Sequence, residues 1–166
     1  RRPILERVGG IKTVTRQRLE GNPEPRWDPP SYRQALEDGN PIFLNSIGLA
    51  NPGIDAALAE LAPQWSQWGA TVVMSLAGES VEQFGEMAAL TQGVAGFQAL
   101  ELNLSCPNIH NGAIFSHSAE LTAAAVAAVR ANTELPVLAK LAPNVPAVTE
   151  IARAAVDAGA DALTIS

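Results

Sequence analysis

The chain has 166 residues, of which 47% are hydrophobic and 17% are charged. This composition is typical of a folded globular domain and excludes an intrinsically disordered chain. The formal net charge of −6 argues against a nucleic-acid-binding scaffold, which needs a basic face. One cysteine excludes an internal disulfide bond, and no apolar run reaches the roughly 18 residues of a membrane span. We therefore expect a cytoplasmic protein with no membrane or nucleic-acid partner.

Apolar runs and helical periodicity alternate along the chain. Ser80 and Ser118 are predicted to cap helices, and Pro63 is predicted to break or kink one. A long excursion rich in proline, glycine and charge, 17–40, has at most one turn of helix. In chain order, the predicted strands are 10–15, 41–49, 71–78, 99–105, 136–143 and 162–166. The predicted helices are 53–69, 80–93, 118–133 and 147–160.

This alternation predicts an α/β fold with a parallel sheet covered on both faces. No GxGxxG turn follows any strand, so the dinucleotide-binding fingerprint is absent. Polar residues lie near the carboxyl ends of apolar strands, where active sites of (β/α)₈ barrels form. They are Lys12, Asn45, Ser75, Asn103, Lys140 and Thr164. A whole barrel needs about 250 residues. We therefore predict that 1–166 is a single domain and a partial TIM barrel, comprising about strands 2–6.

The lone cysteine lies in the polar heptapeptide LNLSCPN, residues 102–108. A lone cysteine is most often a small buried apolar residue. Its polar neighbours here, and Pro107 directly after it, instead favour a functional thiol. An unperturbed thiol pKa of about 8.5 lies close enough to neutrality for a general base. With so few candidate ligands, no metal site is expected.

Several motifs together resemble class 1 dihydroorotate dehydrogenase. They are KTVT (12–15), EGNPEPR (20–26), NSIGLANPG (45–53), ELNLSCPN (101–108), KLAPN (140–144) and AGADALTIS (158–166). They occur in the family's order, and the resemblance covers essentially the whole chain. It implies an FMN-containing (β/α)₈ barrel that oxidises dihydroorotate to orotate in pyrimidine biosynthesis. It also implies that this chain is a fragment lacking the first and last barrel strands, and inactive by itself.

The resemblance also implies roles for individual residues. Cys106 would be the catalytic base, on a lid loop spanning 106–118, and Arg26 would be structural. The cofactor-binding residues would be Lys12, Ser75, Asn103, Lys140 and Ile165. The substrate-binding residues would be Lys12, Asn45, Ser46, Ile47, Gly48, Leu49, Asn103 and Asn108. Lysine charge near the flavin would favour its reduced form.

Three alternative readings remain open at this level. The first is a tRNA-dihydrouridine synthase, although Ser105 stands where that family has glycine before the cysteine. The second is the pyrimidine-reducing domain of dihydropyrimidine dehydrogenase, which shares much of the NLSCPN pattern. The third is a catalytically incompetent remnant. The family's members are homo-oligomers or pair with an iron–sulfur/FAD subunit that reduces NAD, and the sequence does not identify the electron acceptor.

Overall fold

A computed structural model describes residues 8–26, 33–34, 36–39, 45–105 and 114–166. Within these ranges the strands are β1 (Val8–Gly10), β2 (Val14–Thr15), β3 (Thr71–Ala77), β4 (Ala99–Asn103), β5 (Val137–Leu141) and β6 (Ala162–Ile165). The α-helices are α1 (Ile54–Ala56), α2 (Ala62–Trp65), α3 (Val81–Leu90), α4 (Ala119–Arg130) and α5 (Val148–Asp157). A π-helical segment, Ala57–Leu61, joins α1 to α2, and Phe115–His117 form a 3₁₀ turn. No helix in these ranges is long and apolar enough to span a membrane.

All six strands form one parallel sheet whose spatial order follows the chain. Strands β1 and β2 both pair with β3, which is followed by β4, β5 and β6. A doubly wound sheet would reverse its strand order at a switch point, whereas a barrel adds each strand beside the last. The sequential order therefore confirms the predicted α/β architecture of a partial TIM barrel.

The two faces of the sheet differ in chemistry because neighbouring side chains on a strand point to opposite faces. One face, the outer face, is fully apolar and packs under α3, α4 and α5 in a single core. Its strand residues include Val72, Met74, Leu76, Leu100, Leu102, Val137, Ala139 and Leu141, all 0% exposed. The opposite, inner face carries Ser75, Glu101, Asn103 and Lys140. The helices α3, α4 and α5 pack on the outer face, and the inner-face residues Ser75 and Asn103 are buried as well.

Local sequence signals determine how the helices begin and bend. The Ser80 hydroxyl accepts a hydrogen bond from the Gln83 N–H (3.3 Å), as the predicted N-cap requires. The Ser80 hydroxyl also lowers the pKa of the exposed Glu82 carboxyl by hydrogen bonding to it. Pro63 does not end its helix. Because a proline ring clashes with the carbonyl four residues earlier, the preceding turn widens into the π-helical segment.

Two predicted boundaries change in the structure. The predicted strand 10–15 is interrupted at residues 11–13. Of the segment 41–49, which was predicted to begin as a strand, residues 46–49 form no strand and residues 41–44 lie outside the described ranges. The end of the predicted lid 106–118 is part of the core. Phe115 is 4% exposed and packs edge-on against Phe84, with ring centroids 5.3 Å apart. The 3₁₀ turn at the end of the predicted lid is therefore packed against the core. Residues 106–113 of the predicted lid lie outside the described ranges.

The cap of α4 generates a stability prediction. The Ser118 hydroxyl accepts from the Leu121 N–H at 3.2 Å. Ser118→Ala should lower the free energy of unfolding by about 1 kcal/mol, because this N–H loses its acceptor. Ser118→Asp retains an acceptor and should restore stability. Urea denaturation of the full-length protein measures both, and equal losses in the two variants would show that the cap is not the cause.

Candidate active site at the carboxyl ends of the strands

A row of buried polar side chains crosses three neighbouring strand positions on the inner face. The Thr13 and Ser75 hydroxyl oxygens lie 2.9 Å apart, and Asn103 Nδ2 donates to Thr13 Oγ1 at 3.2 Å. All three residues are less than 9% exposed. The Ser105 hydroxyl donates to Asn103 Oδ1 at 3.3 Å, which fixes the amide from its other side. The network brings two predicted cofactor ligands, Ser75 and Asn103, to one place.

Lys140 on β5 and Thr164 on β6 continue this row. Lys140 is the register partner of both Asn103 on β4 and Thr164 on β6, so the three side chains share the inner face. Lys140 is half-buried, and no ion pair or hydrogen bond joins its ammonium group to a described residue. Thr164 donates its hydroxyl to Glu101 Oε2 at 3.1 Å. The inner face therefore holds a lysine and a carboxylate at adjacent strands.

An irregularity in the first strand directs Lys12 towards the site. From Gly10 to Val14 the chain advances four residues, whereas their partners Val73 and Leu76 are three apart. One additional residue must therefore lie at 11–13, as in a β-bulge. Ile11 packs against the core and Thr13 bonds Ser75, which leaves Lys12 as the residue free to point out of the sheet.

Lys12 lines a pocket of about 320 Å³ together with the loop 45–49. The lining residues are Lys12, Asn22, Asn45, Ser46, Ile47, Gly48 and Leu49. Six of these seven were predicted to bind substrate, and the pocket brings them together. One cation among neutral amide and hydroxyl groups suits a small anion that also carries amide-like edges.

The loop 45–49 has an unusual backbone that leaves donors available. Gly48 has φ 71° and Leu49 has φ 55°, so two consecutive residues are left-handed, one of them not glycine. The Leu49 side chain packs against Ala77 at the end of β3, which helps to hold this costly conformation. The N–H groups of Ile47, Gly48 and Leu49 donate to no acceptor among the described residues. They are available to a ligand in the pocket.

Asn51 connects this loop to the end of β2. Its buried side chain donates from Nδ2 to the Leu49 carbonyl (2.8 Å) and to Thr15 Oγ1 (2.9 Å). Its Oδ1 accepts from the N–H groups of Thr15 (3.1 Å) and Gly53 (2.9 Å). Four hydrogen bonds from one side chain thus tie the strand, the pocket loop and the start of α1 to one another.

An ion-pair cluster lies outside the pocket, on the rim. Arg16 contacts Glu86 at 2.6 Å and Asp55 at 2.9 Å, and these hydrogen bonds, that to Glu86 first, raise the pKa of the arginine. The cluster links the end of β2 to α1 and α3. It ties these elements together, and no carboxylate of the described residues pairs with Lys12.

Three further residues were predicted to belong to the site. Cys106 and Asn108 lie outside the described residues. Ile165 pairs with Leu141, whose side chain lies in the outer core, so its own side chain points away from Lys140 and is 51% exposed. Side-chain alternation is the reason, and any contact of Ile165 with an inner-face ligand has to come from its backbone.

Sequence reasoning gave no site role to Thr13, Asn22, Asn51 or Glu101. Thr13 follows Lys12 in the quoted KTVT motif, and Asn22 lies within EGNPEPR. Glu101 directly precedes the LNLSCPN heptapeptide. Each was visible as a polar residue inside a motif, but their partners are 24 to 90 residues away along the chain.

The inner face has a donor set that fits a flavin ring. Its groups are the Lys140 ammonium, the Asn103 amide and the hydroxyls of Thr13 and Ser75, and the small residues Ala77 and Ala99 lie beside them. A flat heterocycle with carbonyl and ring nitrogen acceptors matches such donors. The residues present therefore fit FMN, with Lys140, Asn103, Ser75 and Thr13 as the groups that would hold its ring.

The buried hydroxyl of Thr13 generates a second prediction. Thr13→Val preserves shape but leaves Asn103 Nδ2 and Ser75 Oγ without their partner, at a cost of about 1–3 kcal/mol. Thr13→Ser keeps the hydroxyl and should lose less. Urea denaturation followed by circular dichroism compares the two, and equal stability of the Val and Ser variants would show that the hydroxyl contributes nothing.

Comparison with known proteins agrees with this geometry. The family model described as "Dihydroorotate dehydrogenase" matches residues 7–165. Curated relatives named "Dihydroorotate dehydrogenase B (NAD(+)), catalytic subunit" include one from Desulforudis audaxviator, 42% identical over 93% of this chain and 48% of its own length. Another is from Desulforamulus reducens, 39% identical over 97% of this chain and 51% of its own length.

The chain spans about half the length of the curated relatives it matches. Among solved structures, the carboxyl transferase domain of Rhizobium etli pyruvate carboxylase covers 92% of this chain, with 26% of its own chain covered. Its TM-score is 0.47 at 15% identity, which is too low to inform fold or function. The family match, which extends over nearly every residue, is decisive: the chain belongs to the dihydroorotate dehydrogenase family.

Proposed function

We propose that the protein to which this chain belongs oxidises dihydroorotate to orotate, with FMN as its cofactor. The observation that carries the proposal is the pocket in which Lys12 meets the loop 45–49, beside a polar inner face that fits a flavin. Dihydroorotate has a carboxylate and two amide-like edges. It thus matches one lysine, neutral amide side chains and three available backbone N–H groups.

The reaction removes a proton from C5 and a hydride from C6 of dihydroorotate. FMN, when bound, accepts the hydride. Cys106 takes the C5 proton, in keeping with its position directly after the network-bearing segment 103–105. Lys12 and the N–H groups of Ile47, Gly48 and Leu49 bind the carboxylate, and Asn45, Asn103 and Asn108 orient the ring. Together they hold the C5–H towards the thiolate.

Electron transfer beyond the flavin involves a second subunit in this proposal. The relatives from Desulforudis audaxviator and Desulforamulus reducens are both named catalytic subunits of an NAD(+)-linked enzyme. We infer a partner subunit carrying an iron–sulfur centre and FAD, with NAD as the final acceptor, and a cytoplasmic, homo-oligomeric catalytic core.

Anaerobic stopped-flow spectroscopy of the full-length protein tests the function and the base together. Dihydroorotate, but not dihydrouracil, should bleach the flavin of the wild type. Cys106→Ala should keep its cofactor and slow bleaching by roughly a hundredfold or more, the scale of a lost general base. Cys106→Ser should be slow at neutral pH and recover in part as pH rises. Bleaching of the alanine variant at the wild-type rate would exclude the thiol as base.

A further prediction concerns the charge of Lys140. Lys140→Ala should weaken FMN binding and lower the midpoint potential of the flavin, because a positive charge on the inner face favours the reduced form of the flavin. Lys140→Arg retains the charge and should stay close to the wild-type potential. Spectroelectrochemical titration measures both, and an unchanged potential in the alanine variant would place this side chain away from the flavin.

A further inference from the structure

Asn22 contacts the pocket loop more extensively than any other described residue of the segment 17–26. Its backbone N–H donates to the Ile47 carbonyl at 3.0 Å. Its side-chain Nδ2 donates to the Ser46 hydroxyl at 2.7 Å and to the Ser46 carbonyl at 3.2 Å. Three hydrogen bonds from one residue therefore define the path of the chain at two successive loop positions.

Asn22 also determines what residue 48 can be. A Cβ atom at Gly48 would lie 2.5 Å from Asn22 Oδ1 and 2.6 Å from its backbone nitrogen. With φ at 71°, residue 48 has a conformation that glycine adopts without cost. The Asn22 amide thus occupies the space beside the left-handed turn, where it also lines the pocket.

The segment that carries Asn22 is itself anchored. Arg26 Nε donates to the Asn22 carbonyl at 2.7 Å, and its Nη2 donates to the Glu20 carbonyl at 2.9 Å. The Ser46 N–H in turn donates to the Arg26 carbonyl at 2.7 Å. Leu19 and Asn51 exchange two backbone hydrogen bonds at the other end. Asn22 is therefore the main contact between the anchored segment 19–26 and the loop 45–49.

We propose that Asn22 is a positioning residue, whose two side-chain N–H bonds hold the loop 45–49 in the conformation that aims its backbone N–H groups into the pocket. The ligand side of this inference rests on the proposed function, because the anion it serves is the carboxylate of dihydroorotate or orotate. Asn22 acts through Ser46 and Gly48, and it has no part in proton or hydride transfer.

The test uses Asn22→Ala and the isosteric Asn22→Asp in the full-length protein. Both variants lose the two donors, so both should raise the Kd for orotate and the KM for dihydroorotate about tenfold or more. The rate of flavin bleaching at saturating dihydroorotate should change by less than about threefold, since the transition state gains nothing that the bound ground state lacks. Asn22→Asp also adds a negative charge that by itself repels the orotate carboxylate, so Asn22→Ala is the decisive variant for affinity, and a wild-type Kd in Asn22→Ala would contradict the positioning role.

A second readout needs no ligand. In the ligand-free protein, the bonded N–H groups of Ser46 and Asn51, which donate to the Arg26 and Leu19 carbonyls, should exchange faster in both Asn22 variants, with β3, β4 and β5 unchanged. The matched control is Asn132→Ala, which also removes a side-chain amide that donates to a backbone carbonyl, that of Ala128, in the turn after α4. This control should leave loop exchange and orotate affinity at their wild-type values.

The outcomes separate the two proposals. Wild-type loop exchange in both Asn22 variants would overturn the positioning role, whatever the activity. A wild type that binds no orotate, with faster loop exchange in the variants, would overturn the proposed function and leave the positioning role of Asn22 supported.

Discussion

The alternation of side chains along parallel strands is the constraint on which the rest of this structure depends. Every second residue of β3, β4 and β5 lies in a fully apolar core beneath the helices. Burial of that apolar surface stabilises the folded state by about 25 cal/mol per Å². The intervening residues are thereby forced onto the inner face. Ser75, Asn103 and Lys140 owe their common location to this alternation, since each is flanked on its strand by residues of the outer core. Polar chemistry at the site thus follows from hydrophobic burial on the other face.

Polar groups that packing places on the inner face still need hydrogen-bond partners. A buried amide or hydroxyl without a partner costs about 1–3 kcal/mol, so Thr13, Ser75 and Asn103 bond one another rather than stay alone. Lys140 differs, because no described residue pairs with its ammonium group. An unpaired cation beside a satisfied network is the arrangement expected where a ligand supplies the missing acceptor. The inner face is complementary to a heterocycle with carbonyl and ring nitrogen acceptors.

The pocket beside it is built differently, from loops rather than strands. The interruption of the first strand turns Lys12 out of the sheet, and the loop 45–49 reaches it only because Asn22 and Asn51 hold that loop at two points. These contacts offset the cost of the left-handed backbone at Gly48 and Leu49. In this conformation three N–H groups of the loop have no acceptor among the described residues. Rigid strands therefore form the polar inner face, and braced loops form the pocket beside it.

Much of the fold and of the candidate site could be predicted from the sequence, because it depends on interactions between residues that are close along the chain. The order of strands and helices, the caps at Ser80 and Ser118, and the placement of Lys12, Ser75, Asn103 and Lys140 at strand ends all depend on periodicity or on contacts within four residues. Tertiary structure alone decided the rest. It turned Ile165 to the outer face, made Phe115 part of the core, and gave Thr13, Asn22 and Asn51 their partners. Those partners lie 62 and 90 residues from Thr13, 24 from Asn22 and 36 from Asn51. Hydrogen bonds over such separations exist only once the sheet has closed its register, and no local pattern of residues specifies them.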